Sequence, residues 1–295
     1  MSQMNPTRRR FLLGTAAGLG LAAMPAAGAA RRSATDLVPL GKSGVKVTRL
    51  AFGTGTFGGR VQRELGQAEF TRLVRYAYER GIRFFETADS YRGMPQMLAE
   101  ALKGLPRDSY QLMTKMRWRG ETDPRGTIDR FRRELNSEYF DVLLMHCVRT
   151  PAWRTELAPI QDAFSEAKQR KILKAHGASC HGLLPLRGFP DNPWLDVALL
   201  RINHNGARMD TLQSESDEPG DVNKVTETIA RVHGQGTGVL GMKLIGEGQF
   251  KAPEQRDAAL KYVMKLGTVD AVTIGFKSTA EIDEAIERIN THLNA

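Results

Sequence analysis

Gly81-Ile82-Arg83-Phe84-Phe85-Glu86-Thr87-Ala88-Asp89-Ser90-Tyr91 reads as a buried β-strand over residues 82–86 that stops in polar, reactive side chains. A glycine starts it, aromatic residues fill it, and a carboxylate and a phenol close it. Two later segments end in the same way, Leu112-Met113-Thr114-Lys115 and Val142-Leu143-Leu144-Met145-His146. A carboxylate, a tyrosine, a lysine and a histidine thus arrive at the C-terminal ends of three successive strands. In a barrel of parallel strands that is the end where chemistry sits.

Outward from this stretch, apolar runs alternate with apolar residues at helical spacing. Strands are expected over 47–52, 82–86, 110–114, 141–145, 173–178, 197–202, 238–242 and 271–274. Helical spacing connects them: Phe70, Leu73, Val74, Ala77 and Tyr78 after the first strand, Ile128, Phe131 and Leu135 after the third, and Ile282, Ile286, Ile289 and Leu293 after the last. The fifth connection, with Pro185, Pro190 and Pro193, shows no clear helix, and 205–221 reads as a solvated loop. Eight strand–helix pairs in order predict an α/β fold, a closed (β/α)8 TIM barrel over residues 31–295.

The first thirty residues read differently. Thr7-Arg8-Arg9-Arg10-Phe11-Leu12-Leu13 is a twin-arginine pattern, followed by an apolar run over 11–24, then Pro25 and small residues up to Ala30. Basic start, apolar middle and small-residue end together read as a cleavable export signal, with cleavage expected after Ala29 or Ala30; a disordered basic tail or an uncleaved anchor is the other reading. The run is shorter than the roughly 18 residues of a membrane span, so no stable membrane anchor is expected. The expected partner is the twin-arginine export machinery, which carries folded proteins, and the expected location is the periplasm.

The chain has 295 residues, 41% hydrophobic and 25% charged, as in ordinary globular domains. Its net charge of +9 includes the three leader arginines; the remainder has 39 basic against 33 acidic residues. The basic residues are scattered, without aromatic interleaving, so nucleic acid is not an expected partner. Cys147 and Cys180 fall beside the ends of neighbouring strands. A bridge between them is conceivable; two free thiols are the expectation.

Taken jointly, Gly-x-x-x-x-acid-Thr-Ala-x-x-Tyr (Gly81 to Tyr91), a strand ending in Lys115, and Asp-x-x-x-x-His (Asp141 to His146) resemble the aldo-keto reductase family. Leu40-Gly41-Lys42-Ser43-Gly44, Phe52-Gly53-Thr54-Gly55 and Gly275-Phe276-Lys277-Ser278 resemble that family's opening and end. The resemblance implies an oxidoreductase that reduces an aldehyde or ketone, or oxidises the alcohol, with NADP or NAD. It gives Tyr91 the place of general acid, Lys115 and His146 those of its tuning and orienting partners, and Glu86 that of the lysine's counter-charge. A free phenol has a pKa of about 10, and a neighbouring cation lowers it. Hydride must come from the nicotinamide, since no side chain supplies it. The resemblance further implies cofactor contacts at Thr54, Ser179, Cys180, Arg201, Lys243, Lys277 and Ser278. Lys277 and Ser278 would meet an adenosine phosphate; read as residues alone, they form a helix-entry loop with Ser278 or Thr279 as N-cap. Arg117, Trp118 and Arg119 are candidates for the substrate wall.

The chain also departs from the pattern. Glu86 stands where the family has Asp, Cys180 where it has Asn, Arg201 where it has Gln, Glu281 where Arg or Gln is common, and Ala285 where an Asn contacts adenine. Three other readings therefore stay open: a ligand-binding barrel without turnover, a metal site drawn from Glu86, His146, Cys180, His181 and His204, and non-redox chemistry with Glu86 as base toward a sugar-like substrate. The substrate class expected first is a small-molecule carbonyl compound.

Overall fold

A computed structural model describes residues 31–212 and 218–295, so the leader expected over 1–30 lies outside the described residues. The strands are β1 (Leu37–Pro39), β2 (Lys46–Thr48), β3 (Leu50–Gly53), β4 (Phe84–Glu86), β5 (Gln111–Arg117), β6 (Phe140–Val148), β7 (Leu173–Cys180), β8 (Val197–Arg201), β9 (Gly238–Met242) and β10 (Ala271–Gly275). The helices are α1 (Arg60–Arg63), α2 (Gly66–Glu79), α3 (Met94–Leu102), α4 (Pro124–Glu134), α5 (Trp153–Glu156), α6 (Ala158–Gln169), α7 (Leu183–Leu186), α8 (Val222–Gly234), α9 (Pro253–Lys265) and α10 (Thr279–Leu293). Strands β3 to β10 close in the order β10-β3-β4-β5-β6-β7-β8-β9, every neighbouring pair parallel. The expected (β/α)8 TIM barrel is the fold. The fifth connection holds only the single turn α7.

Alternation along the strands sorts the two cores. Ala51, Phe84, Met113, Val142, Leu144, Ala175, Val197, Leu199, Leu240 and Ala271 pack with one another as the barrel interior. Their neighbours Phe52, Phe85, Leu112, Leu143, Ala178, Leu200 and Val272 join the core between barrel and helices. The same parity carries on to the strand ends. Glu86 lies two residues after Phe84, Lys115 two after Met113, His146 two after Leu144, and Arg201 two after Leu199. All four therefore fall on the inward register at the C-terminal rim.

The first strand differs from the expectation over 47–52. Val47 pairs with Val38 in the antiparallel β1–β2 hairpin, and the barrel strand begins at Leu50. Thr48 makes the break: its hydroxyl donates to the Leu50 carbonyl (2.9 Å) and accepts the Arg83 and Phe84 N–H groups (3.1 Å each). The hairpin places Leu40, Val45 and Val47 against the interior core, at the N-terminal end, where Gly41 bridges to Thr237 just before β9.

Carboxylates tie the strand starts together, Asp141 fully buried and Asp196 and Asp270 half-buried. Asp141 accepts the Leu112 N–H (2.9 Å), Arg107 (2.8 Å) and Lys174 (2.7 Å); Asp196 accepts the His176 N–H (3.0 Å) and Asp270 the Val239 N–H (2.8 Å). The Asp of the Asp-x-x-x-x-His motif is thus a stability residue at the end opposite the His. Asp141→Ala leaves a buried N–H unpaired and two cations without their partner. An expected loss of about 2–3 kcal/mol would appear as a lower urea midpoint at constant slope. A midpoint within error of wild type would count against this role.

Candidate active site

Glu86 and Lys115 meet inside the barrel rim, 3% and 1% exposed. The Lys115 ammonium donates to Glu86 Oε1 and to the Thr87 carbonyl (2.8 Å). Thr273 on β10 lies 3.3 Å from Glu86 Oε2. The longer carboxylate fits because Gly53 lies between: a Cβ there would stand 2.5 Å from Thr273 Oγ1 and 3.0 Å from Glu86 Oε2. Burial, with the Lys243 ammonium second, pushes the Lys115 amine well down from its ordinary value. The Glu86 carboxylate in direct contact opposes that push.

Tyr91 follows β4 in a turn fastened to β5. Thr87 N–H donates to the Met113 carbonyl (2.9 Å), Asp89 N–H to the Lys115 carbonyl (3.1 Å), and Arg117 N–H to the Asp89 carboxylate (3.0 Å). The phenol ring lies 4.8 Å from Lys115 Nζ and, edge to face, 5.3 Å from the His146 ring. Its hydroxyl nestles against Gly55, where a Cβ would stand only 2.5 Å away. The four residues expected to converge do so.

The electrostatics differ from the sequence expectation. Burial, followed by Cys147, Glu247 and Asp89, raises the Tyr91 phenol above its ordinary value. The Lys115 ammonium, bound to Glu86, does not overcome that burial. Tyr91 therefore stays protonated, as a proton donor must. His146 is held neutral by burial first, then by Lys115, Arg149 and Lys243. His181 is depressed by burial, then Arg201, Lys243, His146 and Arg149.

These two histidines give the protein an acid sensitivity. The unfolded chain takes up protons near the ordinary imidazole value of about 6.5, while the folded site refuses them to well below it. Stability is therefore complete above about pH 7 and falls as pH drops through about 6 toward 5. His176 and His204 are depressed as well, chiefly by burial; Asp210, pushed up to about 6 by burial against the pull of Arg201, and Asp89, raised by burial, work in the opposite sense, two groups against four. Urea midpoints measured across this range should decline with acid; a flat or rising series would contradict the assignment.

The positions implied for a dinucleotide divide. Thr54 is fully buried and its hydroxyl has no partner, and Arg201 Nε is likewise buried without one. Arg201 also faces Asp210 at 3.5 Å, and Lys243 pairs with Glu247. Orphaned buried donors beside cations suit a polar, anionic ligand at the mouth. The Ser179 hydroxyl, by contrast, already accepts the Cys147 N–H (2.7 Å). Cys180 belongs to the core between barrel and helices, its thiol donating to the Gly182 carbonyl (3.3 Å); that side chain is off the mouth. Both thiols are free. Lys277 is exposed, and Ser278 is the N-cap of α10, accepting the Glu281 N–H (3.3 Å). The Glu281 carboxylate takes the Lys277 N–H (2.8 Å), so an acid already occupies the donors that an adenosine phosphate would use. Trp118 donates to the Cys147 carbonyl (3.1 Å) and packs on the core.

Sequence reasoning missed Asp210, Thr273 and Ser90. Asp210 lies in the loop read as solvated, yet it is fully buried, with Oδ1 accepting the Gly182 N–H (2.7 Å). Thr273 could have been found by counting two residues on from the inward Ala271. Among the described residues, no group of three or more His, Cys, Asp or Glu comes together as a metal site, and no helix is long and apolar enough to cross a membrane.

A model of the aldo/keto reductase family matches residues 49–258. A probable aldo-keto reductase 1 from Glycine max is 30% identical over 145 residues, 45% of this chain and 40% of the relative, so the match spans about two-fifths of that protein. Among solved structures, a putative aldo-keto reductase from Pseudomonas aeruginosa superposes with a TM-score of 0.69 at 20% identity, covering 89% of this chain and 98% of that one. The holo form of an aldo-keto reductase from Bacillus halodurans gives 0.68 at 18% identity, covering 88% and 95%. The solved structures carry the fold; the family model, spanning most of the barrel and all four clustered residues, carries the kinship, and the chain belongs to the aldo/keto reductase family.

Proposed function

We propose that the protein reduces an aldehyde or ketone, or oxidises the corresponding alcohol, with a nicotinamide dinucleotide, and that Tyr91 is the general acid. The observation that carries this reading is the placement of the Tyr91 ring beside both Lys115 Nζ (4.8 Å) and the His146 ring (5.3 Å) at the barrel rim, in the aldo/keto reductase family. When bound, the reduced nicotinamide supplies the hydride. Tyr91 gives its proton to the carbonyl oxygen, neutral His146 orients that oxygen by a hydrogen bond, and the Lys115 ammonium steadies the phenolate left behind. Thr54, Arg201 and Lys243 would hold the dinucleotide. The Glu281 carboxylate at the start of α10 repels a further phosphate, which favours NAD over NADP.

Titration of the mature protein with NADH and with NADPH, followed by nicotinamide fluorescence, tests this reading. NADH is expected to bind more tightly than NADPH, and absence of binding by either would sink the reductase reading. The leader adds a proposal of location. Arg8, Arg9 and Arg10 ahead of an apolar run that ends in small residues support folded export to the periplasm. Fractionation with the twin-arginine route blocked should then trap the uncleaved chain in the cytoplasm.

A further inference from the structure

We propose that Ser90 is a positioning residue that donates its hydroxyl proton to Nδ1 of His146, fixing the tautomer in which Nε2 carries the hydrogen toward the substrate. This rests on the reductase reading for its catalytic consequence and on geometry for the pairing; a hydroxyl can serve as donor or acceptor, and donation to Nδ1 is the sense proposed. Ser90 Oγ lies 2.9 Å from His146 Nδ1. A neutral imidazole has one donor and one acceptor nitrogen, and the partner of one decides the role of the other. With Nδ1 engaged by Ser90, Nε2 is the nitrogen left for a ligand.

Both ends of this bond are fixed by separate backbone devices. Ser90 immediately precedes Tyr91 in the turn that Asp89 fastens to β5, through its N–H to the Lys115 carbonyl (3.1 Å) and its carboxylate to the Arg117 N–H (3.0 Å). The acid and the residue that sets its neighbour therefore travel on one turn. His146 is followed by a register shift between Met145 and Val148, where β6 bulges against β7. Cys147 takes φ +56 there, a left-handed conformation that costs a non-glycine residue of order 1–3 kcal/mol and persists only where its surroundings enforce it. Those surroundings are the Ser179 hydroxyl on the Cys147 N–H (2.7 Å) and the Trp118 indole on the Cys147 carbonyl (3.1 Å). The bulge aims the imidazole, and Ser90 sets its proton.

The choice of tautomer has a chemical consequence. A bare Nε2 beside Tyr91 would accept the phenol's hydrogen and compete with the substrate oxygen for it. An Nε2–H donates to that oxygen instead, so two donors converge where negative charge develops. The environment also keeps the ring from resolving the question by protonation, since burial and three cations hold His146 neutral.

Nitrogen-15 NMR of imidazole-labelled protein reads the tautomer without substrate. The wild type should show His146 as Nε2–H, and Ser90→Ala should shift it to a mixture while Ser90→Thr, which keeps the hydroxyl, restores it. In turnover, Ser90→Ala should lower kcat about tenfold, the worth of one hydrogen bond, with KM little changed, and Ser90→Thr should recover most of it. Ser90 is exposed, so melting temperatures should stay together and exclude misfolding. An Nδ1–H form in the wild type, or an unchanged tautomer and kcat in Ser90→Ala, overturns the proposal. An Nε2–H form that depends on Ser90, in a protein that binds neither dinucleotide, upholds the assignment of Ser90 and sinks the reductase reading alone.

Discussion

Tyr91→Phe is expected to lower carbonyl reduction by about 10²–10⁴-fold, the usual worth of a positioned general acid, while leaving dinucleotide affinity unchanged. The substitution removes one oxygen and keeps the ring that packs against His146 and beneath Lys115. Nothing else in the site loses a partner, because the hydroxyl makes no hydrogen bond among the described residues. The barrier should rise by about 3–5 kcal/mol, all of it in the chemical step. Burial raises the phenol, so the wild-type rate should show no loss of the acid form anywhere below about pH 10, the ordinary tyrosine value. Steady-state kinetics of both proteins from neutral to mildly alkaline pH check this. Equal turnover in Tyr91→Phe would remove Tyr91 from the mechanism.

The second large effect is expected at Glu86. Glu86→Ala leaves the Lys115 ammonium buried without its counter-charge, and removing one partner of a buried pair typically costs 3–5 kcal/mol. Part of that cost is avoided if Lys115 releases its proton, which burial and Lys243 already encourage; reduction then fails because the phenolate has no cation beside it. Both routes reduce activity, and urea denaturation separates them. The double variant Glu86→Ala/Lys115→Met removes both charges and should be more stable than Glu86→Ala alone, a coupling that an additive pair cannot give. Strict additivity, or a loss under about 1 kcal/mol in Glu86→Ala, would mean that the two groups do not act as a pair. Glu86→Asp is the milder probe. Its shorter side chain gives up the reach to Thr273 across the space left by Gly53, so it should weaken the pair without abolishing it.

What the sequence disclosed followed from periodicity. Glu86, Lys115 and His146 were placed on one rim as the ends of three successive strands, and the structure adds that each lies two residues beyond an apolar residue of the barrel interior. The poorly periodic fifth connection, read as having no clear helix, holds only the single turn α7. Departures came where local hydrogen bonds override pattern. Thr48 divides an apolar run into a hairpin strand and a barrel strand, because its hydroxyl serves three backbone groups that a continuous strand would pair otherwise. The direction of the Tyr91 shift was misjudged because sequence gives proximity to Lys115 and its pairing with Glu86 but not the burial that outweighs them at the phenol. Cys180 was placed among the cofactor contacts by likeness alone; strand parity puts Ser179 inward and Cys180 toward the helices. Asp210 was invisible, since nothing in a polar loop marks which carboxylate will be folded under it.

Transfer of label tests the central claim most directly. Dinucleotide deuterated at the reactive carbon of its reduced nicotinamide is incubated with the mature protein and an aldehyde, and the product alcohol is weighed by mass spectrometry. The wild type should give alcohol one mass unit heavier, and Tyr91→Phe almost none despite equal dinucleotide binding. Bound dinucleotide with no deuterium in the product of the wild type, or label transferred equally by Tyr91→Phe, would contradict the account.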